Sequence, residues 1–566
     1  MRLNLKFILL VIIFQLFVNN YFSQIHPKPN DSLNYNQVLL KYLPVKEAIW
    51  YKILISEFDS VSSNKAISTN FITDSSHVCL ISNLNFGKTY KWHVLAYNNK
   101  NKIINKSKVY NFSILKNEYD DPKKYKVTQT YNNKLLIQDG IIWLDKYNCA
   151  LDRFGKVVWQ FPRKIKTPLI PDNLVDLHMC NNGNITLSND TSIYYLTKDL
   201  EIIWFKHANR LTKQVKVKNI HHVFNQLPNG NFIALGATTE KFKLNEKDST
   251  NYKYDNHIIL EFDSVGNLIW FWELKNHFSI NLIKSYLKKY GSKNNKLDVM
   301  LHANSVAFDF TYSSLFLGLR DFNRFIKIDK KTKNIIAEYG QKLTSDDTLV
   351  IETNWFSRQH DVKPIAPNTV LLFNNGEDEE KGKSSVLILK LPTTNKSNIE
   401  KIWELDLDID SIHPGKATKF GSVQKLSNGN ILIGGGMNGR ILEVTPNKNP
   451  VWDLYLQGKT LPIFDWGVFA QYRAYFNSSL YPYCFSVLQN KNVIKIVNEG
   501  TETDEYVIEV ILNVTSKDVK SVLSSITKQI KPNQSVSYLI NKKHTKLVRI
   551  KSVKSGKVEI LNIFNK

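Results

Sequence analysis

Cysteine is scarce: the 566-residue chain has four, Cys79, Cys149, Cys180 and Cys484, and no two of them form a C-x-x-C pair. That pattern excludes a zinc ribbon and a thioredoxin-type redox site. Long hydrophobic runs are missing after the first residues, so no later segment can cross a bilayer as a helix, which takes about 18 or more apolar residues. Nucleic-acid motifs are missing too, although Lys and Arg total 75 against 51 acidic residues, a net charge of +24. The basic residues are scattered, so the charge points to anionic ligands or an anionic surface and not to a nucleic acid. Helical periodicity is weak everywhere except over Ile280 to Tyr290.

What is present describes a globular protein: 43% hydrophobic, 12% aromatic and 22% charged residues. The length is several times that of a typical domain of about 150 residues, so two or more domains are expected. The first residues, Met-Arg-Leu-Asn-Leu-Lys, carry a basic start; an apolar run from Phe7 to Val18 follows, broken only by Gln15. This is the pattern of a secretory signal peptide over 1–24, cleaved near Ser23 or Gln24. The mature protein is therefore expected in the periplasm, secreted or at the cell surface, where nucleotide donors are scarce.

Short runs of alternating polarity, such as Trp50 to Ser56 and Thr89 to Ala96, predict a small β-sandwich over 45–117. Within it Leu84-Asn-Phe-Gly-Lys-Thr-Tyr90 resembles the tyrosine corner of fibronectin type III domains. A repeat then begins. A turn followed by a strand ending in tryptophan recurs at Trp159, Trp204, Trp270, Trp403 and Trp452, with Ala337 in the corresponding place of a weaker copy. Its companion is a hairpin around Asn-Gly, in Cys180-Asn-Asn-Gly, Leu227-Pro-Asn-Gly and Leu426-Ser-Asn-Gly, with Ala366-Pro-Asn-Thr as a degenerate copy. Repeats of this length fit four-stranded blades. The expected fold is all-β: a six-bladed β-propeller over 125–500, preceded by the sandwich and followed by a short β appendage of unknown role over 501–566.

Aligned on their hairpin turns, His221 lies seven residues before Pro228 and His360 seven before Pro367, while His302 reaches the equivalent place through a longer loop. Phe420 fills it in the next blade. One such histidine would be read as structural, whereas three in register predict a cluster at one mouth of the channel. His222, the neighbour of His221, points the other way along an ideal strand, so which of the two faces the site stays open. Arg320 closes the hairpin that His302 begins and should return beside it. Three imidazoles can hold zinc, but a guanidinium is an unwelcome neighbour for a cation; a sulfate or phosphate gripped by Arg and by protonated His is the better guest. Gly376 to Ser384 approaches a P-loop, yet its first glycine is one residue out of place and its acidic run would repel phosphate.

Together, His221 to Asn231, His302 to Asp309 with Arg320, Gln359-His-Asp-Val362 with Leu372-Phe-Asn-Asn-Gly376, and Gly421-Ser-Val-Gln424 resemble bacterial arylsulfate sulfotransferases, over roughly residues 45 to 490. The resemblance implies an enzyme that moves a sulfuryl group from an aryl sulfate to a phenolic acceptor, both small molecules, without a nucleotide sulfate donor, cofactor or metal. It makes His360 the nucleophile of a sulfohistidine intermediate, with His302, Arg320 and His221 binding the sulfuryl oxygens and Asn304 and His222 lining the pocket. A homodimer is left open. The competing reading is a non-catalytic secreted propeller that binds an anionic ligand or sulfated glycan at the same mouth; a quinone-dependent dehydrogenase would need more blades and an acid-rich calcium site.

Overall fold

The structure, a computed structural model, describes residues 25–562 except 59–68, 74–77, 120–124, 163–174, 212, 248–249, 291–297, 300, 345–346, 377–381, 394–397, 412, 414, 460–465, 469, 491, 512–521, 533, 541–546 and 556. The expected signal peptide and the acidic run after Gly376 lie outside the described residues. The protein is all-β, with one α-helix of more than a single turn among the described residues, α1 (Ile280–Tyr290). No described helix is long and apolar enough to cross a membrane.

Six antiparallel sheets of four core strands carry the repeat. Five of them begin with an inner strand: β1 (Val175–Met179), β2 (Asn219–Gln226), β3 (Ala303–Phe308), β4 (His360–Ala366) and β5 (Ser422–Lys425). The remaining sheet takes its inner strand from far along the chain, because β6 (Ala474–Asn477) pairs with Ile141–Leu144 and completes the sheet of Cys149–Asp152 and Val157–Gln160. Each inner strand contacts the next, from β1 through to β6, and Ile141–Leu144 contacts β1, so the six sheets close a ring.

The recurring sequence marks have a physical role here. In the turns, Asp152 and Asp263 accept backbone N–H groups from the two and four residues that follow, which fixes the hairpin. A β-bulge at one place in all six outer strand pairs then sets the tryptophan's direction. Trp159, Trp204, Trp270, Trp403 and Trp452 each donate the indole N–H to a turn carbonyl of the next sheet: Lys198, Ser264, Lys330, Pro446 and Arg153 respectively. Trp452 thereby ties the last sheet to the first. Ala337, the degenerate copy, leaves its link of the belt unmade.

The N-terminal strands form a sheet of Asp31–Leu33, Tyr110–Ile114, Thr89–Tyr97, Trp50–Phe58 and Thr69–Thr73 with Ile103–Lys106 added, beside the pair Val38–Lys41 and Val78–Ile81. The Tyr90 hydroxyl accepts the Asn85 N–H at 2.7 Å, the bond expected of a tyrosine corner. At the other end Phe485–Asn490 pairs with Val493–Asn498, which pairs in turn with Ser535–Leu539, and Phe485, Ile494 and Ile496 share a buried cluster with Tyr506, Ile508 and Ile550. Cys79, Cys180 and Cys484 are free thiols, and Cys149 is buried.

Candidate active site

Five of the six inner strands carry a local distortion. Asp176, His222, His302, Asp361 and Phe420 have φ between 54° and 66°, one within or just before each of β1 to β5. Left-handed backbone in non-glycine residues is costly and concentrates at functional sites. β-bulges accompany it in β1, β2, β3 and β4, and they differ in size: two positions of the partner strand are spanned by Ile220 to Phe224 but by His360 to Lys363. The shared seven-residue spacing therefore does not mean one shared register. His302 sits just outside β3, His221 and His222 lie within a bulge, and His360 is a paired residue opposite Phe373. The bulges, invisible in the spacing, still bring the rings together.

His222 is the histidine of its pair that meets the others. Its ring lies 5.1 Å from that of His302 and 5.4 Å from that of Tyr472, while His360 lies 5.9 Å from Tyr472 on another side. His221 is set behind it, between His222 and His257, with ring centroids 4.9 and 5.1 Å away. A neighbour on a regular strand would point to the opposite face; the bulge and the positive φ at His222 cancel that alternation.

Arg320 returns beside His302 as the hairpin requires, its backbone N–H donating to the His302 carbonyl at 3.1 Å. Its guanidinium donates to Asp321 at 2.7 Å, and Asp321 also accepts from Arg358 at 2.7 Å. Asn304, expected to line the pocket, instead donates its side-chain amide to the Gln359 carbonyl at 2.7 Å and is fully buried, so it holds the residue before His360. Gln359 in turn donates to the carbonyls of Leu319 and Arg324.

His360 has the most closely specified ring. Its Nδ1 faces two acceptors, Asn375 Oδ1 at 2.7 Å and the Arg358 carbonyl at 3.1 Å. Asn375 cannot turn its amide around, because its Nδ2 donates to the carbonyls of Ala417 and Phe420 at 2.7 and 3.0 Å. Nδ1 therefore carries the proton and Nε2 keeps its lone pair.

Beneath the rings lies Arg473, at the start of β6. It donates to the carboxylate of Asp176 at 2.6 Å, to the His222 carbonyl, and to the Asn304 carbonyl at 2.9 Å, with Asp361 at 3.8 Å from its Nε. One buried guanidinium thus pins β1, β2, β3 and β4 to β6 at the same end of the ring. The acids around it hold Arg473 well above its ordinary pKa despite burial. Tyr472, next to it, packs on His222, His360 and Phe420 while its hydroxyl is buried without a partner among the described residues.

Burial makes every imidazole here harder to protonate. His360 falls to about 3 and His221 to about 4; His222, His257 and His302 are lowered as well, with the neighbouring cations adding to the effect on His222, His302 and His360. The expectation of protonated histidines gripping an oxyanion is therefore corrected: near neutral pH the rings are neutral hydrogen-bonding groups. Positive charge comes instead from Arg320, Arg358, Arg473 and Lys419, all of which bear on the histidine cluster.

Sequence reading missed His257, Arg358, Asn375, Tyr472 and Arg473. Asn375 lies within the quoted Leu372 to Gly376 segment and was legible in principle; the others sit outside the hairpin repeat. A second cluster, Asp410, His413 and Asp453, has metal-ligand spacing, but Arg440 already bonds both of its carboxylates at 2.6 Å.

An all-β protein with a buried neutral imidazole nucleophile candidate, ringed by N–H donors and guanidinium groups, has the makings of a group-transfer enzyme acting on an oxyanion. The chain matches the arylsulfotransferase (ASST) family over residues 121–449 and belongs to that family of aryl sulfotransferases. The match runs from the first strands of the ring into the sixth sheet, ending before Pro450–Lys459 and β6, and includes all of the histidines described above. No curated protein sequence matches the chain. Among solved structures it is similar to a protein of unknown function from Bacteroides caccae, at 11% identity over 55% of this chain and 92% of that one, with a TM-score of 0.36. Another is a catalytically inactive virginiamycin B lyase from Staphylococcus aureus with quinupristin, at 10% identity over 66% and 97% of the two chains and a TM-score of 0.30.

Proposed function

We propose that this aryl sulfotransferase works by a two-step transfer through sulfohistidine at His360, on a six-bladed β-propeller whose mouth the inner strands line. The observation that carries the reading is the fixed tautomer of His360, with Nδ1–H held by Asn375 and the Nε2 lone pair left for attack. In the first step Nε2 forms a bond to sulfur as the bond from sulfur to the aryl oxygen breaks, and the phenolate leaves with that electron pair. In the second, a phenolic acceptor gives up its proton to solvent, which returns one to the phenolate released in the first step; its oxygen attacks sulfur, and the S–N bond returns its pair to Nε2. Sulfuryl transfer resembles phosphoryl transfer in leaving little covalent work to the protein, so alignment and charge stabilisation dominate.

In this reading Arg320, His302 and His222 hold the sulfuryl oxygens, while Asn304 and Gln359 position His360. The N-terminal strands form a sandwich of the fibronectin type III kind, the basic start and apolar run over 1–24 export the protein, and substrate reaches it outside the cytoplasm. Neutral histidines support the reading, since a neutral ring attacks and a protonated one does not.

The test is a brief exposure of the pure protein to 4-nitrophenyl sulfate followed by intact-protein mass spectrometry. Wild type should gain one sulfuryl group and His360→Asn none, with ping-pong kinetics when a phenol is added. A label that maps to His302 or to a tyrosine, or full turnover by His360→Asn, moves the nucleophile elsewhere. Tight binding of aryl sulfate with neither label nor phenol release would favour the non-catalytic binding reading.

A further inference from the structure

Behind the site the three remaining rings form a directed chain. The Ala303 N–H donates to His257 Nε2 at 3.2 Å, and a backbone amide has no other role to play in such a contact. His257 Nε2 must therefore be the unprotonated nitrogen, which puts the proton of the neutral ring on Nδ1. That Nδ1 lies 3.2 Å from His221 Nε2, so His221 accepts there and carries its own proton on Nδ1. His221 Nδ1 lies 2.7 Å from His222 Nδ1, which accepts in turn. The logic leaves His222 with a proton on Nε2, the nitrogen that makes no hydrogen bond to the protein among the described residues. Each ring fixes the tautomer of the next, starting from one amide of β3.

We propose that His257 is a positioning residue that acts through His221 to present His222 as a neutral Nε2–H donor to the transferring sulfuryl group. This rests on the sulfuryl-transfer reading above, but the direction of the chain does not. His257 belongs to Tyr252–Phe262, two strands out from β2 in the same sheet, and its ring bonds Ala303 and His221. No proton leaves His222 in this scheme: a hydrogen bond strengthens as charge builds on the sulfuryl oxygens, in the manner of an oxyanion hole. A neutral donor suits a site whose positive charge is already supplied by arginines. The groups facing His222 are His221, His302, His360 and Arg473; each of them disfavours a second proton on its ring, as does burial. The Gly236 carbonyl also faces His221 and is a competing acceptor. If His221 gave its proton to Gly236 from Nε2, the chain would run backwards and His222 would offer a lone pair.

The full-length protein with 15N-labelled histidine, at pH 7 and without substrate, reports the tautomers directly by long-range 1H–15N correlation, with His222→Gln and His257→Gln used to assign signals. The expected result is protonated Nε2 on His222 and protonated Nδ1 on both His221 and His257. Protonated Nδ1 on His222 would overturn the proposal whatever the activity. In His257→Phe the ring shape is kept and the chain is cut, so His222 should lose its single tautomer and kcat for 4-nitrophenyl sulfate should fall roughly tenfold or more with KM changed less. His257→Gln retains an acceptor for Ala303 and a donor for His221 and should restore most of the rate. Equal rate loss in both variants, with the His222 tautomer unchanged, would reduce His257 to a packing residue and sink the positioning role. If wild type showed the predicted tautomers but no sulfuryl transfer, the chain would stand and the sulfuryl-transfer reading would fall.

Discussion

The Nδ1 of His360 lies 2.7 Å from the Oδ1 of Asn375, and this contact decides which nitrogen of the ring is free to attack. Asn375→Leu removes the acceptor, lets the ring populate the other tautomer, and should lower kcat by about tenfold or more. Asn375→Asp keeps an acceptor but adds a negative charge, which favours imidazolium and raises the His360 pKa from about 3. Activity of the Asp variant at pH 5 should then fall relative to pH 8, whereas His360 in the wild type stays neutral across that interval. Superimposable pH profiles for the two would show that His360 does not supply the attacking nitrogen.

Arg320 should act through shape more than through charge. Its fork is held on one side by Asp321 at 2.7 Å, which orients the planar group beside His302. A lysine preserves the charge and loses the paired donors. Arg320→Lys should lose about a hundredfold in kcat/KM for aryl sulfates. A rate close to wild type would replace the paired-donor role by a general electrostatic one.

The tryptophan belt should be weighted toward its seam. Trp452 is fully buried and bonds the Arg153 carbonyl at 2.7 Å, whereas Trp204 reaches Ser264 at 3.2 Å in a more exposed setting. Trp452→Phe removes a buried hydrogen bond, leaving the Arg153 carbonyl with the Gln129 amide alone, and should cost about 0.5–1.5 kcal/mol, with Trp204→Phe costing less. Thermal melts of the two variants compare them directly, and the ranking would be refuted by a larger loss in Trp204→Phe.

Acid stability should depend on His178, whose Nδ1 is buried without a partner among the described residues and whose ring meets Tyr475 edge-on at 4.3 Å. Burial lowers its pKa from 6.5 to about 3. Between those values the unfolded chain binds a proton that the folded one does not. The cost is absent above pH 6.5 and grows as pH falls toward 3, by about 1.4 kcal/mol per pH unit. His178→Phe removes that proton uptake while keeping an aromatic ring, so its loss of stability from pH 7 to pH 4.5 should be smaller than that of wild type. Denaturant titrations at both pH values measure the difference.

Much of the fold was legible because it rests on local chemistry. Asp152 and Asp263 turn the chain by bonding the next few amides, Asn-Gly pairs close the inner hairpins, and alternation assigns faces; each of these acts within a few residues and leaves a repeating mark. The tryptophans were visible as a repeat, although their bonds to the next sheet were not. Val493–Asn498 alternates equally well in either unit, and only its pairing with Ser535–Leu539 says which sheet it joins.

At the site, the sequence by itself determined which residues stand at the mouths of successive hairpins: His221 with His222, His302 with Arg320, and His360. It also determined the membership in a sulfotransfer family that those motifs imply. The tertiary structure decided the rest. Bulges of unequal length chose His222 over His221, Asn375 chose the nucleophilic nitrogen of His360, Arg473 and Tyr472 arrived from β6 to form the floor, and burial made the rings neutral. The physical reason is common to all of these. A hydrogen-bond direction or a desolvation cost belongs to groups brought together from residues scattered between 176 and 473, and it does not exist until the ring of sheets has closed.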